Sequence, residues 1–211
     1  MLHIQTFCFN PFSENTYVVF NENKKGVIID PGNWNKKETK ILENFIEENE
    51  INIQNILLTH AHIDHVLGLQ WAHNTYKVAV NMHQEDLELL ERNPMSAKNY
   101  GFDFAPFKGD IEFLEEGNTY TIGQDVFQIF HVPGHSPGSI AFYCKEDHFV
   151  VSGDALFQGS IGRTDLYRGN HDELLHNIST KLFTLPPETE VYCGHGSPTQ
   201  IGFEKQHNPF F

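Results

Sequence analysis

The sequence predicts an α/β protein assembled from two similar halves, and three observations carry that prediction. Short apolar runs alternate with stretches of helical period. The run Ile28-Ile29 leads into Asp30, just as Phe149-Val150-Val151 leads into Ser152-Gly153-Asp154 in the second half. Further on in each half another apolar run, Leu57-Leu58 or Val191-Tyr192-Cys193, leads to a histidine, His60 or His195. Each half therefore reads strand, aspartate, helix, strand, histidine, which points to an internal duplication. The polar ends of adjacent strands are then expected to converge at one sheet edge, where open α/β sheets place their sites.

Taken in order, residues 17–20 and 27–29 read as two strands of a hairpin across the polar turn 21–26, closed by Asp30-Pro31-Gly32. Residues 36–49 follow as a helix. Ile41, Leu42, Phe45 and Ile46 recur at helical spacing, and Asn35 stands as N-cap with Glu38 three residues on. Residues 55–59 form a buried strand ending at His60, followed by a helix over about 66–74. In the second half a strand at 149–151 precedes a helix with Leu174, Leu175, Ile178 and Leu182 on one face. That helix is capped by Asn170 with Glu173 and stopped by Pro186-Pro187. Residues 190–193 form the last strand. Between the halves, residues 93–108 show no clear period but carry Tyr100, Phe102, Phe104 and Phe107. A connection of this length either packs its aromatics beneath itself or closes over the site as a lid.

Composition narrows the function. The 211 residues suffice for one domain, which at this size buries roughly 70 to 75% of its unfolded surface. With 39% hydrophobic and 20% charged residues the chain is neither disordered nor fibrous. Fourteen basic against 28 acidic side chains leave a net charge of −14, which repels phosphate backbones and anionic lipid, so neither a nucleic acid nor a membrane is an expected partner. Cys8, Cys144 and Cys193 form no C-x-x-C pair and are odd in number, so they are expected as reduced thiols. No leader-like start and no apolar run long enough to span a bilayer is present, and a cytoplasmic location is expected. The unusual count is 13 histidines, and neutral imidazole is the commonest metal ligand.

Their placement carries the chemistry. Thr59-His60-Ala61-His62-Ile63-Asp64-His65 sets three imidazoles and a carboxylate where a buried strand gives way to a helix. His60 and His62 share a side of the extended part, while the turn into the helix redirects Asp64 and His65. A zinc ion takes three or four N, O or S ligands, so further donors must come from elsewhere in the chain. Three candidates stand in glycine-rich settings: His135 in Pro133-Gly134-His135-Ser136-Pro137-Gly138, Asp154 in Ser152-Gly153-Asp154-Ala155, and His195 in Gly194-His195-Gly196.

With T-H-A-H-I-D-H, P-G-H-S-P-G, S-G-D-A and G-H-G in that order, spread over most of the chain, the sequence resembles the metallo-β-lactamase-fold hydrolases. The resemblance implies an αββα sandwich, two mixed β-sheets with outer helices and a dinuclear site at one edge. It implies one metal on His60, His62 and His135, a second on Asp64, His65 and His195, and Asp154 as the bridge. Asp30 matches the aspartate that orients a ligand from behind. Two divalent ions are expected, zinc first, with iron or manganese as alternatives. Such Lewis acids lower the pKa of bound water to about 7 and so supply hydroxide at neutral pH. Asp64 and Asp154 would offset the cationic charge and orient that hydroxide.

Within the fold the chain is similar to the short glyoxalase II-like group, thioesterases that cleave S-acyl glutathione. Gly194 to Thr199, Ile201 to Lys205 and Asn208-Pro209-Phe210 resemble the ending of its short members, and Leu156-Phe157 to Gly162-Arg163-Thr164-Asp165 their segment after the bridging aspartate. Arg163 stands in the segment where long members carry lysine and tyrosine, and its fork suits a carboxylate of the thiol carrier. The resemblance implies a single domain, 1–211, without the C-terminal helical domain with which long members grip glutathione, hence a carrier broader than glutathione. The partner expected is a small acyl thioester. Two rivals share the ligands: a mononuclear Fe(II) persulfide dioxygenase using His60, His135 and Asp154, and a phosphodiesterase, which the negative charge disfavours.

Overall fold

The structure, a computed structural model, describes residues 1–211. The chain opens with a meander of β1 (Leu2–Phe9), β2 (Glu14–Asn21) and β3 (Lys25–Ile29). Helix α1 (Lys36–Glu48) then crosses to β4 (Asn52–Leu57), which pairs parallel to β3. After the short α2 (Ile63–Val66) and α3 (Leu69–Tyr76) come β5 (Val80–Met82), α4 (Leu87–Tyr100) and β6 (Ile111–Phe113), completing a six-stranded mixed sheet ordered β1 to β6. The second half supplies β7 (Thr119–Ile122), β8 (Asp125–His131), β9 (Ile140–Cys144) and β10 (Phe149–Gly153), then a ribbon of β11 (Leu156–Phe157) and β12 (Ser160–Ile161). Helix α5 (His171–Thr180), β13 (Glu190–Cys193), β14 (Thr199–Gln200) and α6 (Ile201–His207) end the fold. The second sheet runs β14-β13-β10-β9-β8-β7, with β13 parallel to β10.

The period-two alternation of strand side chains sorts the apolar residues into three layers. Tyr17 and Val19 of β2, Val27 and Ile29 of β3, and Ile140, Phe142, Phe149 and Val151 of β9 and β10 fill the space between the sheets. Their neighbours point outward. Val18 and Ile28 pack under the first half's helices with Leu42, Leu69 and Leu90. Ala141, Tyr143 and Val150 pack under Leu174 and Ile178 of α5. The result is the expected αββα sandwich, in which burial on both faces explains why the central strands read as unbroken apolar runs.

Caps agree with the sequence: the side chain of Asn35 accepts from the backbone N–H of Lys37 and Glu38, and that of Asn170 from Glu173. Other boundaries move. The helix expected over 66–74 is two pieces broken at Gly68, whose missing Cβ would overlap the Asn33 side chain. The second-half helix ends at Thr180, and Leu182 sits in a separate 3-10 turn, Leu182–Thr184. The largest correction concerns 93–108: its first part is the C-terminal half of α4, which contains Pro94 and ends at Gly101 in the left-handed conformation. The proline and the starting point of that segment hid a helical face formed by Leu89, Leu90, Asn93 and Ala97. Phe102, Phe104 and Phe107 then pack against the outer core of the first half. No helix is long and apolar enough to cross a membrane.

Phe142 is fully buried between the sheets. Its replacement by alanine is expected to lower stability by about 3–5 kcal/mol, checked by urea unfolding of the metal-free protein.

Candidate metal centre

The ends of β3, β4, β10 and β13 bring the site together. The chain leaves the first sheet at Leu57 and carries His60 and His62 in an extended stretch before α2 begins at Ile63, which turns Asp64 and His65 back towards the sheet edge. His60, His62 and His135 each bring one ring nitrogen within 4.8 Å of the others, as do the ligand atoms of Asp64, His65 and His195. The carboxylate of Asp154 lies between these two triads. Its Oδ1 is 3.4 Å from His65 Nε2, and its Oδ2 is 3.4 Å from His135 Nε2 and 3.5 Å from His195 Nε2. Gly194 permits this approach, since a Cβ there would overlap Asp154 Oδ1. All seven residues expected as ligands therefore meet.

Hydrogen bonds at the backs of the rings decide which nitrogen is bare. His135 Nδ1 lies 2.8 Å from the carbonyl of Arg163, and His195 Nδ1 lies 3.1 Å from that of Phe12. A carbonyl only accepts, so both rings carry a proton on Nδ1 and turn Nε2 inward, the atom that faces a cation. For His65, Nδ1 donates to Asp30 Oδ2 at 3.0 Å. The Thr59 hydroxyl gives its only proton to Asp30 Oδ2 and so receives the Nδ1 proton of His60. Asp30 thus sets one ring directly and one through Thr59, the orienting place expected for it.

That arrangement strands polar atoms. His60 Nε2, His65 Nε2 and Asp154 Oδ1 are buried with no hydrogen-bond partner, a costly state that a cation among them would relieve. Imidazole and carboxylate donors without thiolate fit zinc, iron or manganese. Burial, helped by the neighbouring His65, pushes the pKa of His60 well below the usual histidine range. Burial and His135 push His62 down to about 3. Burial works the same way on His65 but is outweighed by the carboxylates of Asp154 and Asp64, which hold its pKa well above the usual value. At His195 burial is likewise outweighed, by the hydrogen bond to Asp64 and the charge of Asp154. For Asp64 and Asp154 burial favours the neutral acid, but the nearby histidines, His65 first, keep both ionised. His60 and His62 are therefore neutral and ready for a cation, whereas His65 and His195 hold protons that a cation displaces.

Sequence reasoning missed Asp86 and Asn93. Fully buried Asp86 accepts from the N–H of Ala61 (2.8 Å), the N–H of Gly138 (2.6 Å) and the Ser136 hydroxyl (2.9 Å), tying the loop of His60 and His62 to that of His135. Asn93 donates to the carbonyl of Ala61 at 2.9 Å. Neither residue stands near a ligand in the sequence, and no local pattern marks it.

A cavity of about 480 Å³ opens above the site. His62, Asp64, His135, Asp154 and His195 line it together with apolar Phe12, Leu89, Phe157, Ile161 and Leu166. Arg163 also lines it, but its side chain is exposed and forms a bidentate pair with Asp165, at 2.7 and 2.8 Å. The chain's other two arginines stand nearby: Arg92 lies 4.1 Å over the ring of Tyr167, a cavity residue, and Arg168 pairs with Glu85.

Sandwich, sheet-edge site and donor set together define a metallo-hydrolase scaffold. The chain belongs to the metallo-beta-lactamase superfamily, whose family model matches residues 9–195. Among its relatives is the hydroxyacylglutathione hydrolase GloC of Haemophilus influenzae, 36% identical over 99% of this chain and 98% of that one. Among solved structures, the B3 metallo-beta-lactamase BLEG-1 superposes with a TM-score of 0.91 at 37% identity, covering 99% of each chain. TTHA1623 in a di-iron-bound form follows with a TM-score of 0.87 at 37% identity, covering 98% of this chain and all of that one.

Two outcomes are expected. Asp30→Ala removes the acceptor behind His65 and behind Thr59, so metal affinity should fall by about 10- to 100-fold, read by competition with a chromophoric chelator. The raised pKa values of His65 and His195 mean that protons compete for that triad as pH falls through their range, whereas His60 and His62 stay neutral. Calorimetry at pH 8 and pH 6 should therefore show one of two zinc-binding events weakening on acidification with larger proton release, and the other nearly constant.

Proposed function

We propose that the protein is a metal-dependent thioesterase of the glyoxalase II type, hydrolysing S-acyl glutathione or a related small acyl thioester. The observation that carries this reading is the pair of donor triads joined by Asp154 at the base of a largely apolar cavity. His60, His62 and His135 would hold one divalent ion and Asp64, His65 and His195 the other, with Asp154 reaching both. When bound, the ions supply Lewis acidity, lowering the pKa of water to about 7 and polarising the thioester carbonyl. Zinc is the metal assigned; iron and manganese take the same donors, and elemental analysis of protein purified without chelator decides among them.

The chain's own groups do the rest. Asp64 Oδ2 and Asp154 Oδ2 both face His195 Nε2, at 3.2 and 3.5 Å, where they can accept a proton from the attacking water and orient it. The water oxygen bonds to the acyl carbon, the C–S bond breaks, and the thiol leaves with a proton. Leu89, Phe157, Ile161 and Leu166 offer the acyl group an apolar wall and limit competing water. Arg163 offers a charge-assisted contact to a carboxylate of the carrier. Two of its donors rest on exposed Asp165, which such a carboxylate would displace. The neighbouring Arg92 and Arg168 give this rim the only guanidinium groups of a chain of charge −14, offsetting the repulsion that an anionic carrier meets elsewhere. The three cysteines are unpaired, in keeping with a cytoplasmic enzyme acting through a single domain. The second triad, complete and carrying buried His65, favours hydrolysis over the mononuclear dioxygenase.

The experiment is a panel of S-acyl thiols, phosphodiesters and a glutathione persulfide, run with metal counting and oxygen uptake. Two ions per chain and thiol release without oxygen consumption are expected; one iron on His60, His135 and Asp154 with oxygen uptake would overturn the reading. Asp154→Asn should lose most of both metal and activity while circular dichroism stays that of the parent. Arg163→Ala should lower kcat/KM for S-lactoylglutathione about tenfold, the low end for a charge-assisted contact because the residue is exposed. It should leave a thioester without carboxylates unaffected. Equal losses on both substrates would remove Arg163 from carrier recognition.

A further inference from the structure

Two parts of the chain brace the ligands, and they divide the site between them. The middle of α4 and the turn before it brace the first triad: Ala61, between His60 and His62, gives its N–H to Asp86 and receives Asn93 on its carbonyl. Asp86 also binds Ser136 and Gly138, just after His135 in its loop. The second triad is braced from the segment 10–15, the turn 10–13 between β1 and β2 and the first two residues of β2. Asn10 Nδ2 donates to the carbonyl of Asp64 at 2.9 Å and to that of Gly32 at 3.0 Å. The carbonyls of Phe12 and Ser13 accept from His195 Nδ1 at 3.1 and 3.2 Å. Asn15 gives its backbone N–H to the carbonyl of Gly194 at 2.8 Å, and its amide spans the carbonyls of Cys193 and Gly196 at 3.0 and 2.9 Å, on both sides of His195. The buried side chain of Glu14 lies 3.8 Å behind His65 Nδ1. This one segment, a turn and the start of a strand, therefore reaches all three ligands of this triad. It does so with Asn10 and Ser13 at φ of 50° and 56°, a conformation that non-glycine residues keep only where surrounding contacts hold it.

We infer that the 10–15 segment is the positioning element of the second metal, so that Asn10 and Asn15 set the occupancy of that ion independently of the first. The inference rests on the dinuclear reading above. Each residue acts through a ligand's backbone or loop and touches neither metal nor substrate.

The test compares the parent with Asn10→Gly, Asn15→Ala and Asn93→Ala. Each is loaded with zinc and challenged with graded chelator. Retained zinc is counted by elemental analysis, and nitrogen NMR of the imidazoles reports which rings lose their ion. Glycine keeps the left-handed backbone at position 10 without strain, so that variant removes only the amide's bonds. The parent is expected to hold two ions. Asn10→Gly and Asn15→Ala should release the ion of His65 and His195 at about 10- to 100-fold less chelator, the usual cost of losing a partner behind a ligand. The ion of His60, His62 and His135 should stay unchanged. Asn93→Ala should show the reverse. Equal weakening of both ions, an unchanged release profile in the folded variants, or failure of both loop variants to fold overturns the inference. A parent that binds a single ion overturns the dinuclear reading along with it, whereas two ions held unaltered by both loop variants overturns the inference alone.

Discussion

The carboxylate of Asp30 ties the ends of β3 and β4 together, and the metal centre is arranged around it. Its Oδ1 takes the N–H of Thr59 at 2.7 Å, and its Oδ2 takes the Thr59 hydroxyl and the Nδ1 proton of His65. Because the hydroxyl has a single proton to give, this one acceptor also fixes the tautomer of His60. One ligand of each triad thus owes its bare nitrogen to the same oxygen atom. Asp30 stands at φ 51°, at the point where the chain leaves the sheet, and its backbone N–H is held by the carbonyl of Leu57. A strained backbone fastened on every side is what a precisely aimed site requires.

The two triads share a bridge but not an electrostatic character. His60 and His62 lie where burial and neighbouring imidazoles favour the neutral ring. His65 and His195 lie where carboxylates favour the charged one. The difference follows from composition: the first triad holds three histidines, the second two histidines and an aspartate, with Asp30 and Glu14 behind His65. A cation entering the second triad replaces protons that already balance these carboxylates, so its binding is an exchange of positive charge rather than an addition.

The sandwich explains why such a cluster is affordable in a chain of 211 residues. Three apolar layers run beneath and beside it, and the ligands come from loops and the short helix α2 at one edge rather than from the strands themselves. The polar network therefore interrupts no sheet. The cavity above it mixes apolar walls with an arginine-bearing rim in a molecule of net charge −14, the combination from which the proposed thioesterase reading starts.

The fold class, the paired apolar runs leading to an aspartate and to a histidine, both helix caps and the seven side chains that meet at the sheet edge were legible from the residues and from the family pattern they resemble. These features are local: period, cap and motif depend on neighbours within a few positions, and an ordered set of histidines and aspartates survives in linear form. Lost from view were β1, the strands β5 to β9 and the short β11, β12 and β14, the helix hidden across Pro94, and the bracing residues Asn10, Asn15, Asp86 and Asn93. An asparagine or aspartate that serves a carbonyl or N–H dozens of positions away, as Asn15 serves Gly196, carries no sign of it in its own surroundings. Likewise the pairing of Arg163 with Asp165, the tautomers of the rings and the division of the site into two separately braced triads are set by directions in space. The sequence by itself determined which groups are present and which apolar runs lead to them, although the strand expected over 55–59 ends at Leu57 and the chain reaches His60 in extended form. The tertiary structure decided which nitrogen of each ring is bare and what holds it, because hydrogen bonds act over about 3 Å and only the folded chain brings their partners that close.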